Sequence, residues 1–243
     1  MYRVQHEQLA FVFTLVLLLG LGFFLSWINI YLLIVILLGV LIHVKLTQAK
    51  LKGDAIRVHG EQFGSIYETF INYAKRLGIK RASLYITQDP YLNAYTLGIN
   101  SCSVVLNSAL VEQLNEKELA FVIAHELGHY SSGHTKLSTI FIPLGGNMLS
   151  DLIFGFWTRL TEYTCDRCGI ALTKDLDSAT SAMLKIAVGG KLFENISLKG
   201  YASQLNDAHD ISVRGGEMLG SHPLISNRIL HVTSFWKENI VLN

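Results

Sequence analysis

The chain has 243 residues, room for one catalytic domain plus a small membrane module or for two small domains, and half of them are hydrophobic against 16% charged. A net charge of +1 argues against nucleic acid or an acidic polymer as partner. Three cysteines are an odd number and too few for a disulfide framework.

The charge deficit is local. From Gln8 to Val44 there is no Asp, Glu, Lys or Arg. Two apolar runs, Leu9–Leu25 and Ile30–Leu46, are separated by Ser26-Trp27-Ile28-Asn29, and each is just long enough to cross a bilayer core. One straight helix over the whole stretch would far exceed a bilayer, so a two-helix transmembrane hairpin is expected within residues 1–50, ahead of a single domain at 51–243. A cleaved signal peptide is disfavoured, because the second run follows at once without a small-residue cleavage site. Arg3 precedes the hairpin, Lys45, Lys50, Lys52 and Arg57 follow it, and the turn has no basic residue. The positive-inside rule then puts both ends and the remaining chain on the cytoplasmic side, a compartment that suits reduced cysteines.

Beyond the hairpin, residues 60–77 carry helical spacing and end at Gly78. Short strands are expected at Ala82–Thr87, Ala94–Leu97 and Ser103–Leu106. Asn115 ahead of Glu116, Lys117 and Glu118 is an N-cap with acidic residues in the first turn of a helix reaching about Tyr130. Further helices are expected near Arg159–Leu172, Ser178–Leu192 and Ile225–Lys237, with a polar loop over Asn195–Gly220. The fold class is α+β: a mainly helical domain with a small sheet. Cys165 and Cys168 form a CxxC inside a helical pattern, where buried small residues are expected rather than a redox pair.

His125-Glu126-Leu127-Gly128-His129 is an HExxH inside the capped helix. Helix positions four apart lie about 40° apart around the axis, so both imidazoles can grip one ion. Zn²⁺ accepts imidazole nitrogen, and a catalytic site takes three protein ligands and leaves the fourth position to water. Glu126, offset on the same turn, is placed to take a proton from that water. For the third ligand, Glu162 and Asp166 share a helical face, so that one can bind the metal while the other orients an imidazole. His134 is the rival, five residues past His129, although long zincin motifs place the third His six residues on, after a Gly that turns the chain, a pattern this sequence does not match.

HELGH, then Glu162, Asp166 and Arg167 as ExxxDR, then Ser221-His222-Pro223 with Arg228, resemble in that order the HtpX-type membrane zinc metallopeptidases. This is the gluzincin family that includes the CAAX prenyl proteases and Oma-type proteases, and Asn93-Ala94-Tyr95 looks like its NA(F/Y) element. The resemblance implies a zincin-like domain with one Zn²⁺ per chain held by His125, His129 and Glu162. It implies Glu126 as general base and Asp166 as the partner of His125. His222 would donate to the oxyanion, and Arg228 would pair with carboxylates near the metal. Asn93, Ala94 and Tyr95 would border an edge strand along which substrate lies extended.

HtpX-type proteins often carry a further membrane-inserted stretch before the Glu ligand. Here Leu137–Trp157 is apolar but holds Pro143, Gly145, Gly146, Asn147 and Asp151. A single crossing would put His129 and Glu162 on opposite sides of the membrane, and two would need roughly 40 residues. A short helical hairpin that returns to its own side is expected. The implied function is a membrane-anchored endopeptidase acting on membrane or membrane-proximal proteins, its partners being protein or peptide substrates and the lipid bilayer. The alternative is a catalytically silent membrane scaffold or binding protein that keeps the fold.

Overall fold

The computed structural model describes residues 3–4, 6–136, 148–197, 200–201 and 223–241. Its first element, α1 (Glu7–Asp54), is helical at every residue. The Ser26–Asn29 segment, expected as the turn of a tight hairpin, contains neither Pro nor Gly and is helical like its flanks, with Ser26 Oγ donating to Phe23 O at 2.8 Å. The run is nevertheless not straight. Glu7 touches His134, His134 touches His129, Glu126 on the same helix as His129 bonds Thr96, and the neighbouring Leu97 packs with Leu51. That path covers at most about 50 Å if packed neighbours sit within about 10 Å of one another. A straight helix would hold Glu7 and Leu51 about 66 Å apart. The run is therefore sharply bent, and its two arms, Glu7–Trp27 and Ile30–Leu51, are each long and apolar enough to cross a membrane. In the 18-residue apolar window of each arm, only 11% and 6% is buried. A core helix of a soluble protein would be covered; this apolar surface belongs in a bilayer.

After α1 come β1 (Ile56–Arg57), α2 (Gly64–Arg76), β2 (Ala82–Thr87), β3 (Ala94–Leu97) and β4 (Cys102–Asn107). The sheet order is β1-β2-β4-β3, with β2 and β4 parallel and the outer pairs antiparallel, so β3 is an edge strand among the described residues. Alternation divides the side chains between two faces. Leu84, Ile86, Val104 and Leu106 join the main core under the helices, while Tyr85, Leu97 and Val105 meet Leu51 from the end of α1.

The short α3 (Ser108–Gln113) leads to α4 (Glu116–Ser131). Asn115 and Glu118 close a capping box at its start, and Lys185 Nζ reaches Glu118 Oε2 at 2.8 Å. Further helices among the described residues are α5 (Met148–Thr173), α6 (Leu176–Val188), α7 (Gly190–Phe193) and α8 (Ile225–Trp236), which ends in a π turn at Lys237–Val241. The α+β class holds, with refined boundaries. The helix expected from Arg159 is already present at Met148, and Asp151 lies within it. The helix expected over Ser178–Leu192 is interrupted at Gly189, whose φ of 88° suits glycine. Of the hairpin expected at Leu137–Trp157, only the part from Met148 is described, and it is the continuous N-terminal part of α5. The loop expected at Asn195–Gly220 lies largely outside the described residues.

Candidate metal centre

Two helices make the centre. α4 carries His125, Glu126 and His129, and α5 crosses it with Glu162 and Asp166. The crossing is close because its residues are small. A Cβ on Gly128 would lie 3.0 Å from Cys168 Cβ and 3.4 Å from Cys165 Cα. The CxxC cysteines are thus buried free thiols at a tight helix crossing. Burial pushes the Cys168 thiol up to about 12, which makes it inert.

Donor groups of three residues converge. His125 Nε2 and His129 Nε2 lie 3.3 Å apart, Glu162 Oε2 is 3.5 Å from the first, and Glu162 Oε1 is 3.4 Å from the second. Tetrahedral ligands held about 2.0–2.1 Å from zinc are separated from one another by about 3.3–3.4 Å. The triangle therefore has the size that one zinc ion requires. The Glu126 carboxylate lies within 4.8 Å of a ring nitrogen of His125 and of His129, near enough to act on a water held beside them.

The groups behind the triangle are also fixed. His125 Nδ1 lies 2.9 Å from Asp166 Oδ1. Arg228, from α8, grips the same carboxylate with two arms and places Nη1 3.3 Å from Glu162 Oε2. Burial would raise the pKa of both acids, but the Arg228 charge and the histidine hydrogen bonds outweigh it and hold Glu162 well below the usual carboxylate range and Asp166 below it too. For His125, burial pushes the other way, yet Asp166 and Glu162 hold it up at about 10. With a zinc ion added, metal and Arg228 bring three positive charges to meet the carboxylates of Glu126, Glu162 and Asp166. The donor set therefore fits zinc in size, chemistry and charge.

A cleft of about 510 Å³ opens over these groups, walled by Tyr95, Trp157, Met183, Ile186 and Pro223. Asn93, Ala94 and Tyr95 lie along it on and just before the edge strand β3. His222 and Ser221 lie outside the described residues. His134, the rival ligand, does not face the triangle: its Nδ1 is 3.4 Å from Nδ1 of His129, the ring nitrogen turned away from Glu162. Thr96 was not singled out from the sequence. Its buried hydroxyl lies 2.8 Å from Glu126 Oε2 and 3.0 Å from Glu126 O, so β3 steadies the acid next to the triangle. A lone strand threonine gives no signal in a sequence.

The sequence profile of peptidase family M48 matches residues 61–150 and 144–235. The plastoglobule-localized metallopeptidase 48 of Arabidopsis thaliana chloroplasts is 30% identical over 187 residues, 71% of this chain and 52% of the plant protein. A protease HtpX homolog of Listeria monocytogenes is 26% identical over 221 residues, 70% of this chain and 73% of the relative. The crystal structure of S. mikatae Ste24p shares the fold with a TM-score of 0.55 at 17% identity, over 86% of this chain and 58% of that one. The chain thus spans about half the length of the chloroplast relative. With HELGH and the crossing helices inside the matched segments, the chain belongs to peptidase family M48, a family of metalloprotease hydrolases.

Proposed function

We propose that the chain is a membrane-anchored zinc-dependent endopeptidase that hydrolyses peptide bonds of membrane or membrane-proximal proteins. Residues 1–50 would be the membrane module and 51–243 the catalytic domain, on the cytoplasmic side. The carrying observation is the convergence of His125, His129 and Glu162 at 3.3–3.5 Å, with the Glu126 carboxylate within 4.8 Å of the two histidines.

When bound, Zn²⁺ would polarise the scissile carbonyl and lower the pKa of a nearby water. Substrate would lie extended along the free side of β3, beside Asn93, Ala94 and Tyr95. Glu126 takes a proton from the attacking water, its carboxylate held in place by Thr96. As the water oxygen bonds to the carbonyl carbon and the C–N bond breaks, Glu126 passes that proton to the leaving amine. His222 would donate to the oxygen that gains charge on the way. Asp166 keeps the proton of His125 on Nδ1, leaving Nε2 free to bind metal.

The test is Glu126→Gln in the full chain purified in detergent. It should abolish casein cleavage and self-cleavage and still hold about one zinc, whereas His125→Ala should lose both metal and activity. Wild-type cleavage that survives complete removal of metal by a chelator would sink the proposal.

A further inference from the structure

The outward side of His129 carries a buried polar chain that the proposed chemistry does not use. His129 Nδ1 lies 3.4 Å from His134 Nδ1, and His134 Nε2 lies 2.8 Å from Glu7 Oε1. The other Glu7 oxygen accepts a hydrogen bond from Thr164, whose hydroxyl accepts in turn from the backbone N–H of Val4 at 3.1 Å. Glu7, His134 and Thr164 are 3%, 4% and 0% exposed. A carboxylate this deep is costly unless it is paired, and here it stands in the first turn of a helix whose next charged residue is Lys45. The nearest cation, Arg3 Nε, is 3.9 Å away on a part-exposed side chain.

Cys165 Sγ also lies 3.6 Å from His134 Nδ1, a contact in which that nitrogen can accept, and one arrangement of protons joins the histidines to Glu7. If His129 binds metal through Nε2, its proton must sit on Nδ1 and point at His134 Nδ1. His134 must then accept on Nδ1 and carry its own proton on Nε2, where the Glu7 carboxylate accepts it. Each donor meets an acceptor, and the carboxylate ends the series.

We propose that Glu7 and His134 are positioning residues for His129. The acid in the first turn of the membrane helix orients His134, which holds the Nδ1–H of His129 and so aims Nε2 at the metal. This inference rests on the metallopeptidase proposal above. It makes the seating of the first apolar arm on α5 part of the metal site.

The test uses the full chain in detergent, with zinc affinity from chelator competition, zinc stoichiometry, and the visible absorption of the Co²⁺-substituted protein. His134→Phe keeps a ring of similar size but no nitrogen. It should weaken zinc binding about 10–100-fold and shift the cobalt bands, while still saturating at one zinc. His134→Gln can accept from His129 through its amide oxygen and donate to Glu7 through its amide nitrogen, so it should recover most of the affinity. Glu7→Ala should resemble His134→Phe, and the double variant should lose little more, because the two act in series. If Glu7→Ala fails to fold, the Phe and Gln variants at 134 still decide. Wild-type affinity and an unchanged cobalt spectrum in His134→Phe, with one zinc bound, would overturn the relay and leave the metallopeptidase proposal standing. Two zinc ions per wild-type chain, one of them lost in His134→Phe, would overturn it too, since His129, His134 and Cys165 would then hold an ion of their own. A wild-type chain that binds no zinc would overturn both.

Discussion

Asp166 and Arg228 meet in a two-armed ion pair, Nε to Oδ2 at 2.8 Å and Nη2 to Oδ1 at 2.7 Å, with the carboxylate fully buried. The pair does two things at once. It steadies the oxygen that faces His125 Nδ1, and it brings a positive charge to Glu162. Arg228→Met should therefore strand two buried carboxylates and cost about 3–5 kcal/mol of stability, seen as a lower thermal midpoint of the metal-free protein. Arg228→Lys should recover only part of this, because one ammonium cannot reproduce the fork. A midpoint unchanged in Arg228→Met would mean that the pair is not structural.

Asp166→Asn separates orientation from charge. The amide keeps the shape but can turn its NH₂ toward His125, which disfavours the tautomer that leaves Nε2 free. Zinc affinity, measured by chelator competition, should fall about 10–100-fold, with one zinc still bound at saturation.

Thr96→Val tests the edge strand's part in the chemistry. The substitution keeps the branched shape and removes the hydroxyl that reaches Glu126 at 2.8 Å. A hydrogen bond to a charged group is worth about 1.5–3 kcal/mol, so kcat should drop about 10–100-fold with zinc content unchanged. An unchanged kcat would show that Glu126 needs no such support.

How much of this was legible beforehand follows from the range of each contact. His125 and His129 could be read because four residues is one turn, and Glu162 and Asp166 obey the same spacing on a second helix. Which residues extend α5 ahead of Arg159 depends on packing rather than on local pattern. Arg228 was suggested only by family likeness, since one arginine on a late helix carries no periodic signal. Thr96 and Glu7 were not legible. Thr96 bonds across 30 residues and Glu7 across 127, and both contacts exist only once the sheet and the membrane helix are packed on the site. A tight hairpin turn was expected at Ser26–Asn29, but that segment has no helix breaker and is helical.

Orientation in the membrane can be read by labelling engineered cysteines on intact cells. The background is quiet, because Cys102, Cys165 and Cys168 are buried. Burial also pushes the Cys102 thiol up to about 12, which keeps it in the unreactive thiol form. The basic residues flanking α1 predict that a membrane-impermeant maleimide reaches a cysteine at Ser26 or Asn29 and misses one at Ser108 or Asn243. The opposite pattern would reverse the topology without touching the metal site.

The third metal ligand is the sharpest remaining test, because Glu162 and His134 both touch His129 but from opposite sides of its ring. Glu162 meets Nε2 at 3.4 Å, the nitrogen that also faces His125, whereas His134 meets Nδ1 at 3.4 Å. One ion can bind His125, His129 and Glu162 together, and it cannot bind His134 through the same nitrogen of His129. Removing Glu162 would take away a bond and the negative charge that offsets Zn²⁺, leaving Arg228 to repel the metal. Glu162→Ala should accordingly lose zinc at neutral pH, whereas His134→Ala should remain at about one zinc per chain when zinc is in excess. Zinc content after desalting, read by atomic absorption, compares the two directly. Loss of metal from His134→Ala with retention in Glu162→Ala would move the site to the other face of His129 and require Glu162, Asp166 and Arg228 to be withdrawn from it.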